Sequence, residues 1–358
     1  MASALPDIVL RQILSFVKEG PQVDYIEISR RLNYDFIDYQ NYNDGLDTIR
    51  ACLQVSRYWR AIGIPVYWNS PGFTHLPTFD TLMSFITQDD VKQSSGIQNI
   101  NLFPFPVRQH ITTPYPYYIR ELDMYFLHAG IHQWLRETGV SDGIATPKYY
   151  ILLQAILSMF SRYDVRLDSL AYPFVEFGTD DMKSWFAQAS LRKVLLSSAF
   201  FLPPGNVLLL NACRKVEDFS IFYWQTRTHE STGNVTDDVV KFIKNQKRLQ
   251  SIHIRGNTLT PYEINQLGKA IFSAGDTLRY IHFEHMAFND FVWNGVEKCV
   301  KLEILTFTRC KDVVSIQPLI HAKLLKLKRV EVKETTGVPL RAWADRFNRR
   351  AKRIRHSM

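Results

Sequence analysis

The stretch LQSIHIRGN, residues 249–257, puts large apolar residues at its first, fourth and sixth positions (Leu249, Ile252, Ile254) and an asparagine at its ninth, Asn257. Apolar residues alternating over so short a run read as a strand with one buried face. The phase returns at Leu167 (with Leu170 and Tyr172), Leu191 (Val194, Leu196), Val216 (Phe219, Ile221), Leu278 (Ile281, Phe283), Leu302 (Leu305, Phe307) and Leu327 (Val330, Val332), in steps of 24 to 33 residues. A strand, a turn and a helix need about that length, so the expectation is a stack of repeats, each burying what its neighbour cannot bury alone. The intervening segments fit: TDDVVKFIKNQKR (236–248) opens on a Thr-Asp capping pair, and TPYEINQLGKAIF (260–272) places Pro261 at a first helical position after Thr260.

The pattern resembles the cysteine-containing class of leucine-rich repeats. Cys310 holds the ninth position of its unit, and Cys213 and Cys299 each stand three residues before a strand start, where a small thiol closes the preceding helix. The fold class expected is therefore an α/β solenoid, an irregular leucine-rich-repeat horseshoe with a parallel sheet on its concave side. An α/β domain of βαβ crossovers is the alternative, disfavoured by the step near 25 residues and the lack of a phosphate-binding glycine loop. The phase extends upstream to Ile97 (Ile100, Leu102) and Ile119 (Leu122, Met124), although 119–135 reads equally as one amphipathic helix. Side chains alternating with the buried set should face the concave side: Asp218, Ser220, Phe222, Ser251, His253, Arg255, Tyr280, His282, Glu284, Ile304, Thr306 and Thr308. Of these, Phe222, His253, Arg255, Tyr280, His282 and Glu284 are the candidate substrate contacts, mixing aromatic, imidazole and charged groups.

At the other end, LPDIVLRQIL (5–14) begins a short helix expected over 5–17 with Leu5, Val9, Ile13, Phe16 and Val17 on one face, and CLQVSRYWRAIGIPVYW (52–68) follows, with a second helix expected over 49–59. Leu10, Leu14, Tyr58, Trp59 and Trp68 add more apolar surface than so small a module can bury, which predicts a partner. The leading Leu-Pro, the Val-Ser pair and the spaced tryptophans resemble the F-box motif, and repeats following an F-box are an architecture of that family. The resemblance covers nearly the whole chain. It implies a three-helix F-box-like module over 1–75 with an insert at about 19–47, leucine-rich repeats over 76–335 and a basic tail over 336–358. It further implies docking on a Skp-family adaptor through Leu5, Pro6, Val9, Leu10, Val55, Trp59 and Trp68, recruitment of a cullin-RING ubiquitin ligase, and capture of a protein substrate on the repeats. Ile8 stands where the motif usually carries an acidic residue. A ligase-independent interaction scaffold is the alternative.

Composition narrows the remaining classes. With 46% hydrophobic and 22% charged residues, 23 Phe and 17 Tyr, the chain is that of a folded protein. The net charge of +8 is concentrated in RAWADRFNRRAKRIRHSM (341–358), seven Lys/Arg against one Asp, which argues against a basic nucleic-acid face elsewhere. That tail reads as a solvated, partly helical end, with nuclear import, an acidic partner, or anion or nucleic-acid binding through RRAKRIR as the alternatives. Four cysteines without a CxxC pair imply a reducing compartment, cytosol or nucleus, and no run suggests a secretion signal or membrane span. No P-loop, GxGxxG or GxSxG occurs, so no catalytic residue and no cofactor is expected. His128 with His132 and His282 with His285 lack the second pair that a zinc site needs; no metal site is expected, and they read as surface or strand residues.

Overall fold

The computed structural model describes residues 7–19, 40–95, 113–139, 145–171, 191–197, 213–223, 232–256, 259–286, 295–311, 324, 326–335 and 338–356. The chain forms two compact units, Met1–Leu167 and Asp168–Met358. The anticipated boundaries at 75/76 and 335/336 fall inside them.

In the first unit α1 (Asp7–Glu19), α2 (Gln40–Val55) and α3 (Arg57–Asn69) meet around Leu10, Leu14 and Ile62, with Cys52, Trp59 and Val66 packed against them. The one helix expected over 49–59 is two. Ser56 breaks it, in extended backbone, and its Oγ accepts the Trp59 amide at 3.1 Å to cap α3. Gly63 permits the close approach of the three, since a Cβ there would run into Leu53 and press on Leu14. Then come α4 (Leu76–Met83), α5 (Gln88–Ser95), a strand β1 (Glu121–Asp123), α6 (Met124–Glu137) and α7 (Ala145–Arg162). The two readings of 119–135 are both met in part, because Asp123 ends the strand and caps α6 through the amides of Tyr125 and Phe126. Asp90, 3% exposed, ties α5 to α7 by accepting from Arg162 at 2.8 and 3.1 Å.

The second unit is a parallel α/β repeat. Its described strands are β2 (Ser169–Ala171), β3 (Lys193–Ser197), β4 (Asp218–Tyr223), β5 (Ser251–Gly256), β6 (Tyr280–Glu284), β7 (Ile304–Thr308) and β8 (Arg329–Lys333), and each pairs in parallel with the next in sequence. Leu170, Val194, Phe219, Ile252, Ile281, Leu305 and Val330 form one continuous buried row across it. Each such side chain withdrawn from water contributes about 1.5–3 kcal/mol. The first position of every repeat, from Leu167 to Leu327, is buried too. Helices α8 (Thr232–Asn245) and α9 (Pro261–Ala274) link strands, Phe242 of α8 lying 5.0 Å from Phe219, ring to ring. Thr260 and Glu263 form the capping box that starts α9.

The main chain registers each repeat on the next. The carbonyls of Asp168, Arg192, Glu217, Gln250, Arg279 and Glu303, all second positions of their repeats, each accept two consecutive amides of the following repeat at 2.7–3.2 Å. Past the strands, His285, Arg309 and Glu334 occupy equivalent positions with φ of 52°, 53° and 46°. None is glycine, so the stacking holds three ordinary residues in the left-handed region. The Cys310 thiol donates to the carbonyls of Phe283 and Thr308, as expected of the ninth position, and that of Cys299 to Gly295. Burial pushes the Cys310 thiol up to about 11, that of Cys299 up to about 12 and that of Cys213 up to about 11, which favours the protonated thiol at neutral pH. Asn257 and Tyr172, and the hit at Ile97, lie outside the described residues.

The basic C-terminus is not simply solvated. It forms α10 (Val338–His356), which buries Leu340 and Ala344 and packs on β8. The Asn348 side-chain amide donates to the Val330 carbonyl at 2.7 Å and accepts the Val330 amide at 3.0 Å, substituting for the strand that an edge lacks. Val330 is 2% exposed, so Asn348→Ala strands two buried backbone groups and should lower the stability of this unit by about 2 kcal/mol in urea unfolding. Asn348→Asp, which still accepts but cannot donate, should lie in between.

Candidate functional site

The sheet face turned away from the buried row carries three cross-strand rows. The first is Asp218, Ser251, Tyr280 and Ile304; the second Ser220, His253, His282 and Thr306; the third Phe222, Arg255, Glu284 and Thr308. Parallel pairing in register brings residues 29 apart in the chain side by side, and the diagonal brings His253 to Glu284.

The second and third rows converge. The His253 and His282 rings stack at 4.1 Å with 7° between their planes. His253 Nε2 lies 3.2 Å from Glu284 Oε2, and His282 Nε2 lies 3.0 Å from Thr308 Oγ1. Glu284 Oε1 faces Arg255 Nη1 at 3.8 Å and His285 Nε2 at 3.9 Å. Phe222 meets His253 edge-on at 5.3 Å and carries the Arg255 guanidinium 5.9 Å from its ring centre. Burial by itself would raise the Glu284 carboxyl; the His253 hydrogen bond, then Arg255 and the two imidazoles, outweigh it and hold the group below the ordinary carboxylate range. Burial, reinforced by His253, pulls His282 down to about 4. The cluster therefore presents an ionised carboxylate beside an uncharged imidazole in a partly dry setting, which suits a binding site for a cation or a polar partner.

The candidate substrate contacts divide accordingly. His253 and His282 are half-buried and come together with Arg255 and Glu284, which are buried, as is Phe222 at 7% exposure. Those three were expected on an open surface; Arg255 and Glu284 pair across the strands, and Phe222 packs against His253 and Arg255. Tyr280 is exposed, in a different row at the other end of its strand. Spacing along the chain pairs His282 with His285, whereas the sheet pairs it with His253. Both histidines occupy the fifth position of their repeats, and superposing the repeats would have exposed the match.

The docking candidates also separate. Leu5 and Pro6 lie outside the described residues. Leu10 is a core residue at 0% exposure, and Trp68, at 4%, stacks on Tyr115 at 5.2 Å. Val9 and Trp59 are half-buried. Val55 is 66% exposed, and with it Ile8 (65%), Tyr58 (44%) and Ile13 (42%), so the surplus apolar surface exists but is made largely of other residues. Tyr58 Oη donates to Asp7 Oδ1 at 2.5 Å, which ties the start of α3 to the start of α1. The His128 and His132 rings sit 4.3 Å apart on α6, not on an open surface, and Tyr149 of α7 stacks on His132. Among the described residues no helix is long and apolar enough to cross a membrane. No protein-family model matches the chain, and no curated protein matches it either.

The buried Arg255–Glu284 pair sets the price of disturbing this face. Arg255→Met leaves a buried carboxylate short of its cation and should lower stability by about 3 kcal/mol, while Arg255→Met with Glu284→Leu should lose less than the single change. Urea unfolding of the two variants checks this.

Proposed function

We propose that this chain is a non-catalytic substrate-recognition subunit of an SCF-type cullin-RING ubiquitin ligase. Helices α1–α3 act as an F-box-like module that docks a Skp-family adaptor, and the parallel strand-helix repeat acts as a leucine-rich-repeat horseshoe whose concave face binds a protein substrate. The observation that carries the reading is the exposed apolar set Ile8, Ile13, Val55 and Tyr58 on the helices that bear the motif. Four large apolar side chains exposed on three packed helices are surface that a partner would cover. Repeats follow that module, and their mixed face of His, Arg, Glu and aromatic groups suits a polar protein surface.

On this reading the protein lowers no chemical barrier. It holds a substrate lysine near a ubiquitin-charged enzyme brought by adaptor and cullin, and the gain is one of effective concentration. Cys52, Cys299 and Cys310, without a disulfide among the described residues, fit the reducing cytosol or nucleus where such complexes work.

Co-expression of the full chain with a Skp-family adaptor tests the docking. The wild type should co-purify with it, and Ile8→Lys with Val55→Lys should abolish the complex while leaving the circular dichroism unchanged, because both positions are solvent-facing in the free chain. No complex from folded wild type, or one indifferent to the double substitution, would overturn ligase recruitment and leave an interaction scaffold that uses the same sheet face.

A further inference from the structure

We propose that His253, His282 and Glu284 form a binding site for a divalent d-block cation, with zinc as the physiological type, and that its fourth coordination position opens onto the sheet face.

The geometry is that of ligands already gathered. One donor atom from each of the three residues can be chosen so that all lie within 4.8 Å of one another. A tetrahedral zinc with bonds of about 2.0–2.1 Å to nitrogen and oxygen has ligand atoms about 3.3 Å apart. His253 Nε2 and Glu284 Oε2 stand at 3.2 Å, close to such an edge before any cation is added. His282, stacked on His253, offers a third donor within 4.8 Å of the other two. Two imidazoles and a carboxylate are a zinc-type set, whereas calcium or magnesium would require more oxygens.

The surroundings agree. Thr308, bonded to His282, and Arg255, beside the second Glu284 oxygen, occupy the positions of outer partners that orient ligands. The Arg255 guanidinium opposes an added cation electrostatically, which disfavours hard, weakly covalent ions more than one bound through imidazole nitrogens. The three ligands come from two adjacent strands held in register by the main chain, so the site needs no loop to close on it. Two repeats sharing a cation would also be clamped to each other, and a side chain of a bound partner could fill the open position.

Cobalt and zinc alone serve as probes on the tag-free full chain after treatment with a chelator. The site predicts one saturable cobalt per chain, with visible d–d absorption of a tetrahedral nitrogen-oxygen environment, no thiolate charge-transfer band, and displacement by zinc. His253→Asn and Glu284→Gln should each weaken binding by at least about tenfold, Thr308→Ala by roughly tenfold or less, and His132→Asn should leave it unchanged. Thermal melts of each variant verify folding; if Glu284→Gln does not fold, His253→Asn at the half-buried ligand decides. No saturable binding by the wild type would overturn the site. So would equal affinity in folded His253→Asn, a thiolate signature, or loss of binding in His132→Asn.

Discussion

A carbonyl shared between two amides sets the register on which the second unit depends. At the second position of six successive repeats, Asp168 to Glu303, one main-chain oxygen accepts a pair of amides from the next repeat. Because a strand turns every other side chain to the opposite face, a slip of one residue at any of these joints would send the buried row into water and the His-Glu row into the core. The apolar row from Leu170 to Val330 supplies the energy against such a slip, and the bifurcated bonds supply the geometry. Charges at these second positions reinforce the match at the surface: Arg192 pairs with Glu217, and Glu303 with both Arg279 and Lys328. Exposed pairs of this kind add little stability, but they disfavour a displaced register that would set like charges together.

Everything distinctive on the opposite face follows from that alignment. His253 and His282 stack because their repeats superpose residue for residue, and Glu284 is reached on the diagonal. The last strand, which has no following repeat in the described chain, is finished by one side-chain amide, Asn348, and by the buried side of α10. The basic residues of that helix are thus mounted on a folded element, with Arg341, Arg346 and Arg349 facing solvent.

Much of the repeat was legible because its signal is redundant: each described apolar position read from the phase is at least half-buried, and nearly all are fully so. The role of Cys310 was legible for the same reason. What escaped was what depends on cross-strand contact. Arg255 and Glu284 read as open-face charges, yet they bury against each other, since charge pairing between strands leaves no local trace in either strand. The His253–His282 pair escaped because spacing was counted along the chain and not across repeats. In the helical module, helix periodicity identified Leu10 and Leu14 as apolar but not which apolar residues point outward, which is decided by how α1 crosses α3; Val55 and Tyr58, which the sequence singled out, are exposed, but Leu10, Leu14 and Trp68 are buried and Ile8 and Ile13 take their place on the surface. The break at Ser56 was masked by the Val-Ser pair being read as motif and not as a helix cap.

The most direct test of the register is amide hydrogen exchange followed by mass spectrometry on the full chain. The account predicts that the amides donated to the shared carbonyls, among them Lys193, Asp218, Ser251, Tyr280, Ile304 and Arg329, exchange slowly, and that those of adjacent repeats open together as denaturant rises. Rapid exchange at those amides under native conditions, or strands that open independently of their neighbours, would contradict it.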